Sequence, residues 1–314
     1  MKGTTYERVI GAARDVLPTT IKTCVWLVKI TVLISFGILI LRYFNILPWF
    51  SGLISPVFNI FGLPGEAALA YVTGYFVNVY SAIAVISTLD LDIRAITILS
   101  VMVLCSHNII IETAVQKKTG SSAIRMVVIR TLSAFVLAFV LNKIMPGEVV
   151  SNVLNSAVEK ASLKEMLTDW LYSTIRIVIT MTILIFTLSI LQKILSEFGV
   201  IRWISKFLRP LLAIFGLPAK TSFLWIVANT LGLAYGAAVM IEEYEGGKVN
   251  KSDIDLLNHH IAISHSNLED VILLTSVGGI FWWLLLSRWA MSLLLVWELK
   301  AEMAIRKKIL TFVG

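Results

Sequence analysis

The chain has 314 residues, of which 57% are hydrophobic and 15% are charged, and its formal net charge is +7. Soluble domains have about 45–50% apolar and about 25% charged residues, so this composition excludes an ordinary soluble domain. In so apolar a chain, the basic excess points to cytoplasmic loops rather than to nucleic-acid binding. Cys24 and Cys105 lie in apolar runs and form no metal or redox motif by spacing.

The apolar residues are concentrated in runs of about 18–25 residues, the length that crosses a hydrocarbon core about 30 Å thick. Backbone groups in lipid can bond only within a helix or a closed barrel. These runs are too long and too rich in Leu and Ile for barrel strands, so we predict an all-α integral membrane protein. The first run begins near residue 21 without a small-residue cleavage site, and we interpret it as a retained span.

An internal repeat organises the chain: FGLP at 61–64 recurs at 215–218, and further matches before and after it follow in the same order. Each unit is predicted to contain a long helix, an amphipathic stretch ending in FGLP, a weaker apolar segment, a helix carrying Ser-His and an acid, and a closing helix. The predicted helical segments are 20–42, 67–88, 94–115 and 126–145 in the first unit, and 170–192, 221–241, 256–274 and 280–299 in the second. We assign 1–145 to the first repeat, 146–168 to a linker and 169–314 to the second repeat.

The weaker apolar segment determines the topology. Its middle reads TGYFVN at 73–78 and ANTLG at 228–232, which suits a broken helix buried in protein. A re-entrant hairpin also places most loop Lys and Arg residues on the cytoplasmic side, whereas a full crossing divides them more evenly. We therefore predict two inverted repeats, each with three transmembrane helices and a re-entrant helical hairpin, and cytoplasmic termini. A full crossing would instead give eight helices in parallel repeats.

A set of polar residues occurs in both units inside apolar runs, where a charge is costly and needs a partner. Its members are Ser106, His107, Glu112 and Arg130, matched by Ser264, His265, Asp270 and Arg288. We expect each acid to lie within salt-bridge or single-water reach of the Arg on the next helix. Such pairs could only fix helix packing, or they could line a solute path or act as gates.

The two histidines of this set could be packing residues, proton relays or metal ligands. His107 and Glu112 lie about 140° apart around an ideal helix, so one helix would not present both to one ion. His265 and Glu269 could share an ion, but Ile111 stands at the corresponding position of the first unit. We therefore predict no metal site and no cofactor.

The hairpin middles offer candidate solute-binding residues, because half-helix N-termini carry free N–H groups that favour anionic or carbonyl-bearing solutes. Hydrogen bonding between helices is the alternative interpretation. The candidates are Thr73, Tyr75, Asn78, Tyr80, Ser81, Asn229, Thr230 and Tyr235. We expect Asn78 and Asn229 to approach each other. No nucleotide-binding or hydrolytic motif is present, so we do not expect an enzyme.

The segment GLPGEAALAYVTGYFVNVYSAIAVI at 62–86 resembles the Gate, or nucleoside-recognition, motif. That motif occurs in bacterial B-type ferrous iron transporters and in spore maturation membrane proteins. SHNIIIETAV and SHSNLEDVI are similar to segments of stand-alone Gate proteins that carry two units in one chain. In the iron transporters a similar GLPG stretch is followed by GFGCNVPA, whereas this chain has Val77 at the cysteine position and Tyr80 at the proline position.

The repeats and this resemblance together indicate a secondary transporter or permease for a small solute or ion, in the cell membrane, with its site between the two hairpins. The alternatives are a divalent-cation transporter and a non-transporting membrane scaffold. The expected partners are the lipid bilayer and the solute, with a homodimer as an open alternative and no nucleic acid.

Overall fold

The computed structural model describes residues 4–147, 162–230 and 232–313, and within them every regular element is helical. The first half contains α1 (Thr5–Tyr43), α2 (Ile46–Phe58), α3 (Ala67–Phe76), α4 (Val79–Ile86), α5 (Ile93–Ser106), α6 (Ile109–Lys118) and α7 (Ala123–Ile144). The second half contains α8 (Leu163–Glu197), α9 (Val200–Phe207), α10 (Arg209–Ile214), α11 (Ser222–Thr230), α12 (Gly232–Glu245), α13 (Lys251–Ser264), α14 (Asp270–Ser276) and α15 (Phe281–Val313).

Within the described residues, four helical stretches are long and apolar enough to cross a membrane. They are Thr5–Tyr43, Ile93–Lys118, Ala123–Ile144 and Leu163–Glu197. The second of these contains the break between α5 and α6. The all-α membrane architecture predicted from composition is confirmed.

The first helix of each half is longer than predicted, with 39 residues in α1 and 35 in α8. Capping boxes explain the early starts, because Thr4 and Ser162 accept hydrogen bonds from backbone N–H groups in the first turn while Glu7 and Glu165 reach back to the cap. α8 thus includes the last residues of the predicted linker at 146–168. Residues 148–161 of that linker lie outside the described part of the chain.

α1 and α8 pack along each other in opposite directions. Arg8, near the start of α1, pairs with Glu197 at the end of α8, with 3.1 Å between Nη2 and Oε1. Ser35, near the end of α1, accepts a hydrogen bond of 3.1 Å from the Trp170 indole near the start of α8. Contacts at both ends therefore fix an antiparallel pair that joins the two halves.

The weaker apolar segment forms a helical hairpin in both halves. A Cβ atom added to Gly74 in α3 would lie 3.0 Å from the Ala82 Cβ in α4. A Cβ atom added to Gly236 in α12 would lie 3.4 Å from the Ala228 Cα in α11. Residues eight positions apart in one straight helix would be separated by about 12 Å. The chain therefore doubles back in each half.

The spans predicted at 94–115 and 256–274 are not single helices. α5 ends at Ser106 and α13 at Ser264, and the chain turns before α6 and α14 begin. Asn108 and Ser266 have φ angles of 48° and 50°, in the left-handed region that an α-helix cannot accommodate. The length and overall apolar character of these segments predicted a continuous helix, and here contacts with other segments override that preference.

α5 and α13 form the centre of the molecule. Every residue from Thr97 to Ser106 is buried, and so is every residue from Leu256 to Ser264. These helices are covered all round by neighbours, so the polar side chains of α13 at Asn258, His259 and His260 are buried along with its apolar ones. Their carboxyl ends carry the Ser-His dipeptides, which places the duplicated polar set in the interior.

Candidate functional site

The broken segments within each half are bonded to each other through the backbone. The Asn108 N–H donates to the Gly74 carbonyl at 2.9 Å, and the Ser266 N–H donates to the Ala228 carbonyl at 3.0 Å. The two bonds join matching positions of the two halves. They satisfy unwound backbone that would otherwise lack partners away from water, and they hold each hairpin against its broken span.

Two arginines with fully buried side chains cap the carboxyl ends of the broken helices. Arg130 donates from Nε to the Cys105 carbonyl at 3.0 Å and from Nη2 to the His107 carbonyl at 2.6 Å. Arg288 makes the same contacts at 2.6 Å and 2.7 Å with the matching carbonyls of the second half. A cation at a helix carboxyl end complements the free carbonyls and the helix dipole, so these arginines stabilise the breaks.

The two histidine side chains face each other across the junction of the halves. His107 Nδ1 lies 3.1 Å from the Val103 carbonyl, and His265 Nδ1 lies 2.7 Å from the Ile261 carbonyl. A carbonyl only accepts, so in each neutral ring Nδ1 carries the hydrogen and Nε2 keeps a lone pair. The two Nε2 atoms are 3.3 Å apart.

A carboxylate completes this contact. Glu112 Oε1 lies 3.1 Å from His107 Nε2 and 3.2 Å from His265 Nε2, while Oε2 lies 2.6 Å from Arg130 Nη2. Asp270 Oδ2 lies 3.4 Å from His107 Nε2. The separation of about 140° expected between His107 and Glu112 on one helix does not apply, because the chain turns between them. Both therefore point to one place, which we call the His-Glu cluster (His107, His265, Glu112).

The two acid–arginine pairs differ. Glu112 and Arg130 form the expected ion pair, but Arg288 makes no direct ion pair with Asp270 among the described contacts. Arg288 Nη1 instead donates to Asn267 Oδ1 at 3.1 Å. The matching position of the first half is Ile109, whose side chain offers no acceptor. The substitution of one residue therefore explains why only one carboxylate is directly neutralised by an arginine.

The duplicated serines lie beside the cluster and bond to other groups. Ser106 donates to the Met102 carbonyl at 3.0 Å and lies 3.1 Å from the Tyr71 hydroxyl. Ser264 Oγ lies 2.8 Å from His260 Nδ1. These contacts anchor the helix ends to their surroundings, and neither serine is among the contacts of the facing histidine rings.

Several of the predicted solute-binding residues serve their own helices. Thr73 and Thr230 donate to carbonyls one turn earlier, at 2.6 Å and 2.7 Å. Asn78 is the N-cap of α4 and accepts from the Ser81 N–H at 2.8 Å. Tyr75 bonds across to α7, with its hydroxyl 2.9 Å from Thr131 Oγ1. The side chain of Tyr235 lies outside the described part of the chain.

Two of the predicted residues connect the hairpins with the second broken span. The Tyr80 hydroxyl donates to Glu269. Asn229 accepts from the Asn267 side chain, which in turn accepts from Arg288. The described side-chain hydrogen bonds of Asn229 are to the Trp225 carbonyl and to Asn267, and its expected approach to Asn78 stays a prediction. Sequence reasoning missed Asn267, although its place in the polar run SHSNLED inside an apolar segment was a usable signal.

The family model described as Gate, nucleoside recognition, matches residues 24–151 and 178–291. The chain belongs to the Gate nucleoside-recognition family. The first matched segment contains the four polar residues of the first half, from Ser106 to Arg130. The second contains their four counterparts, from Ser264 to Arg288. The duplicated polar set therefore lies within the part of the chain that is shared with the family.

A curated relative extends this similarity over most of the chain. The "Uncharacterized membrane protein YvoD" of Bacillus subtilis (strain 168) is 32% identical over 271 residues, which are 85% of this chain and 87% of that protein. No solved structure matches this Gate protein. The family and the relative agree with the apolar helices in making it a membrane protein.

Proposed function

We propose that this Gate protein is a secondary transporter or permease that carries a small solute or ion across the cytoplasmic membrane. The observation that carries the proposal is the His-Glu cluster, to which both halves of the chain contribute at the junction of their broken helices. Transporters built from repeats bind their substrates where discontinuous helices of the two repeats meet. Membership of the Gate family supports the same conclusion.

The cost of the cluster favours a functional role over a purely structural one. Glu112, Arg130, Asp270 and Arg288 are all buried, and an ionised side chain at the centre of a bilayer costs at least about 2.5–3.5 kcal/mol. Apolar side chains of similar volume would pack two helices together without that cost. Retaining ionisable groups where the broken helices of both halves meet is what a path for a polar solute or an ion requires.

The proposed topology is a pair of inverted repeats, 1–145 and 169–314, each with three spans and a re-entrant hairpin. The antiparallel packing of α1 against α8 supports opposite orientations of the two units. The close approach of Gly74 to Ala82 and of Gly236 to Ala228 supports re-entry, because it shows that neither segment is one straight helix. Both termini would then face the cytoplasm, and the solute would pass between the hairpins and the broken spans.

Coupling would run through the cluster. An imidazole changes its charge near neutral pH and can hold or release a proton as a solute arrives. The Tyr80–Glu269 hydrogen bond links the first hairpin to the second broken span, and the Asn229–Asn267–Arg288 chain links the second hairpin to the same span. A solute bound between the hairpins would therefore be connected through hydrogen bonds to Glu269 and to Arg288.

Reconstituted protein tests the proposal. Proteoliposomes loaded with a pH-sensitive dye would be exposed in turn to nucleosides, carboxylates, amino acids and divalent metal ions, and solute uptake and proton movement would be recorded. The wild-type protein should give flux with at least one class, and His265→Ala should abolish it. His259→Ala is the matched control, because His259 lies on the same helix and contacts Asp255 instead of the cluster. A folded protein that gives no flux with any class would favour the scaffold alternative.

A further inference from the structure

We infer that His107, His265 and Glu112 form a binding site for one divalent first-row transition-metal ion. The inference deepens the proposed function, since it names a class of ion for the same cluster. It makes a claim about equilibrium binding, however, and binding can be measured without transport.

The three side-chain atoms that converge in the cluster are all hydrogen-bond acceptors when the two imidazoles are neutral. Both Nδ1 atoms are committed as donors to the carbonyls of Val103 and Ile261, so both Nε2 atoms present lone pairs. A carboxylate oxygen is also only an acceptor. When both rings are neutral, three electron-pair donors converge without a hydrogen between them, an arrangement that is repulsive unless an added proton or a metal ion lies among them.

The two Nε2 atoms and Glu112 Oε1 form a triangle whose size fits one bound metal ion. Its sides are 3.1 Å from His107 Nε2 to Glu112 Oε1, 3.2 Å from His265 Nε2 to Glu112 Oε1, and 3.3 Å between the two Nε2 atoms. Ligand atoms about 2.0–2.1 Å from a tetrahedral ion are about 3.3–3.4 Å apart. A single proton bridges two atoms along one line, whereas three nearly equal sides suit one ion that contacts all three donors.

The charged groups around the cluster also favour a bound cation. Glu112 is anchored by Arg130 through Oε2, which leaves Oε1 directed at the histidines. Asp270 lies beside His107 and has no direct arginine partner, because Arg288 is held by Asn267. When Asp270 is ionised, the site therefore carries a carboxylate charge that no guanidinium neutralises directly among the described contacts. A divalent cation at the cluster would compensate it.

The donor set selects the class of ion. Two imidazole nitrogens and one carboxylate occur in zinc sites and in non-haem Fe(II) sites, whereas Ca²⁺ and Mg²⁺ favour ligands made of oxygen alone. Three ligands leave at least one open position, as in sites where an ion exchanges its remaining ligands. All three residues are buried, which distinguishes the cluster from the exposed acidic groups that are common in proteins without any bound ion.

The experiment uses the full chain purified in detergent, stripped with a chelator and titrated with Co²⁺ and Zn²⁺. We expect one ion per chain, with a visible Co²⁺ spectrum typical of four- or five-fold coordination. His107→Ala and His265→Ala should each weaken binding by more than about 100-fold, beyond the about 10–100-fold that an outer partner contributes. Asp270→Asn should fall within that smaller range, and His259→Ala should bind as wild type does.

If the histidine variants do not fold, X-ray absorption of the Zn²⁺-loaded wild-type protein still decides the question. Two nitrogen ligands and one or two oxygen ligands at about 2.0–2.2 Å would support the site. Binding of no ion, binding unchanged in both histidine variants, or a coordination shell without imidazole would overturn it. Metal binding without transport would leave this inference standing while the proposed function fails, and transport of another solute without metal binding would do the reverse.

Discussion

Replacing Arg130 by alanine should destabilise the fold strongly, and removing Glu112 as well should recover much of the loss. Arg130 Nη2 lies 2.6 Å from Glu112 Oε2, and neither side chain is appreciably exposed. Removing one partner of a buried ion pair costs about 3–5 kcal/mol, because the other charge is left uncompensated. Arg130 also caps the carbonyls of Cys105 and His107, and each carbonyl left without a donor adds about 1–3 kcal/mol.

The double variant retains the carbonyl cost but no longer buries an unpaired charge. The coupling energy between the two substitutions should therefore lie at the upper end of the range of about 0.5–3 kcal/mol for residues in contact. Unfolding by titration with sodium dodecyl sulfate in mixed micelles measures the four free energies that the cycle needs.

The second half of the chain provides the matched control. Arg288 caps the same carbonyls but has no direct ion pair with Asp270 among the described contacts, so the coupling energy between Asp270→Ala and Arg288→Ala should be clearly smaller than that of the first cycle. Additive losses in the first cycle, or equal coupling in the two cycles, would refute the assignment of Glu112 and Arg130 as direct partners.

Three further outcomes are expected. In a background without the native cysteines, single cysteines at Lys143 and Lys206 should react with an impermeant maleimide from opposite sides of the membrane; labelling from one side would contradict inverted repeats. Gly65→Ala should lower the free energy of unfolding by about 1–3 kcal/mol, since its Cβ would collide with α2, whereas Gly52→Ala, with open space around it, should not. Tyr80→Phe should cost about 1.5–3 kcal/mol, because its carboxylate partner loses a donor, and unchanged stability would show that this bond is absent.

The helical class was predictable because it leaves a mark in the composition, and the predictions of a duplication and of hairpins rest on marks in the local sequence as well. FGLP occurs before both hairpins, and the polar and glycine residues at 73–78 and 228–232 interrupt otherwise apolar segments. The ion pair of Glu112 with Arg130 was predictable from the cost of buried charge alone. These features depend on composition and on nearest neighbours along the chain.

The breaks at His107 and His265 were not predictable in this way, because their cause lies elsewhere in the chain. The Gly74 and Ala228 carbonyls that receive the turned backbone precede the breaks by more than thirty residues. An apolar run carries no local record of such a distant partner. The lengths of α1 and α8, by contrast, were predictable from local sequence but missed. The capping boxes that begin these helices are visible in the sequence as T-x-x-E and S-x-x-E, and the prediction started each helix at the apolar run instead.

The proline within α1 makes the two halves mechanically unequal. Pro18 lies inside the helix, where it lacks an N–H and removes one rung of the hydrogen-bond ladder. The matching position of α8 is Tyr172, which keeps its rung. The hydrogen-bond ladder of α1 is therefore weakened near Pro18, between the more polar first turns and the apolar remainder. Arg8, near the start of α1, forms an ion pair with Glu197 at the end of α8. Bending there would pull Arg8 away from Glu197, so this ion pair restrains the amino-terminal segment of α1.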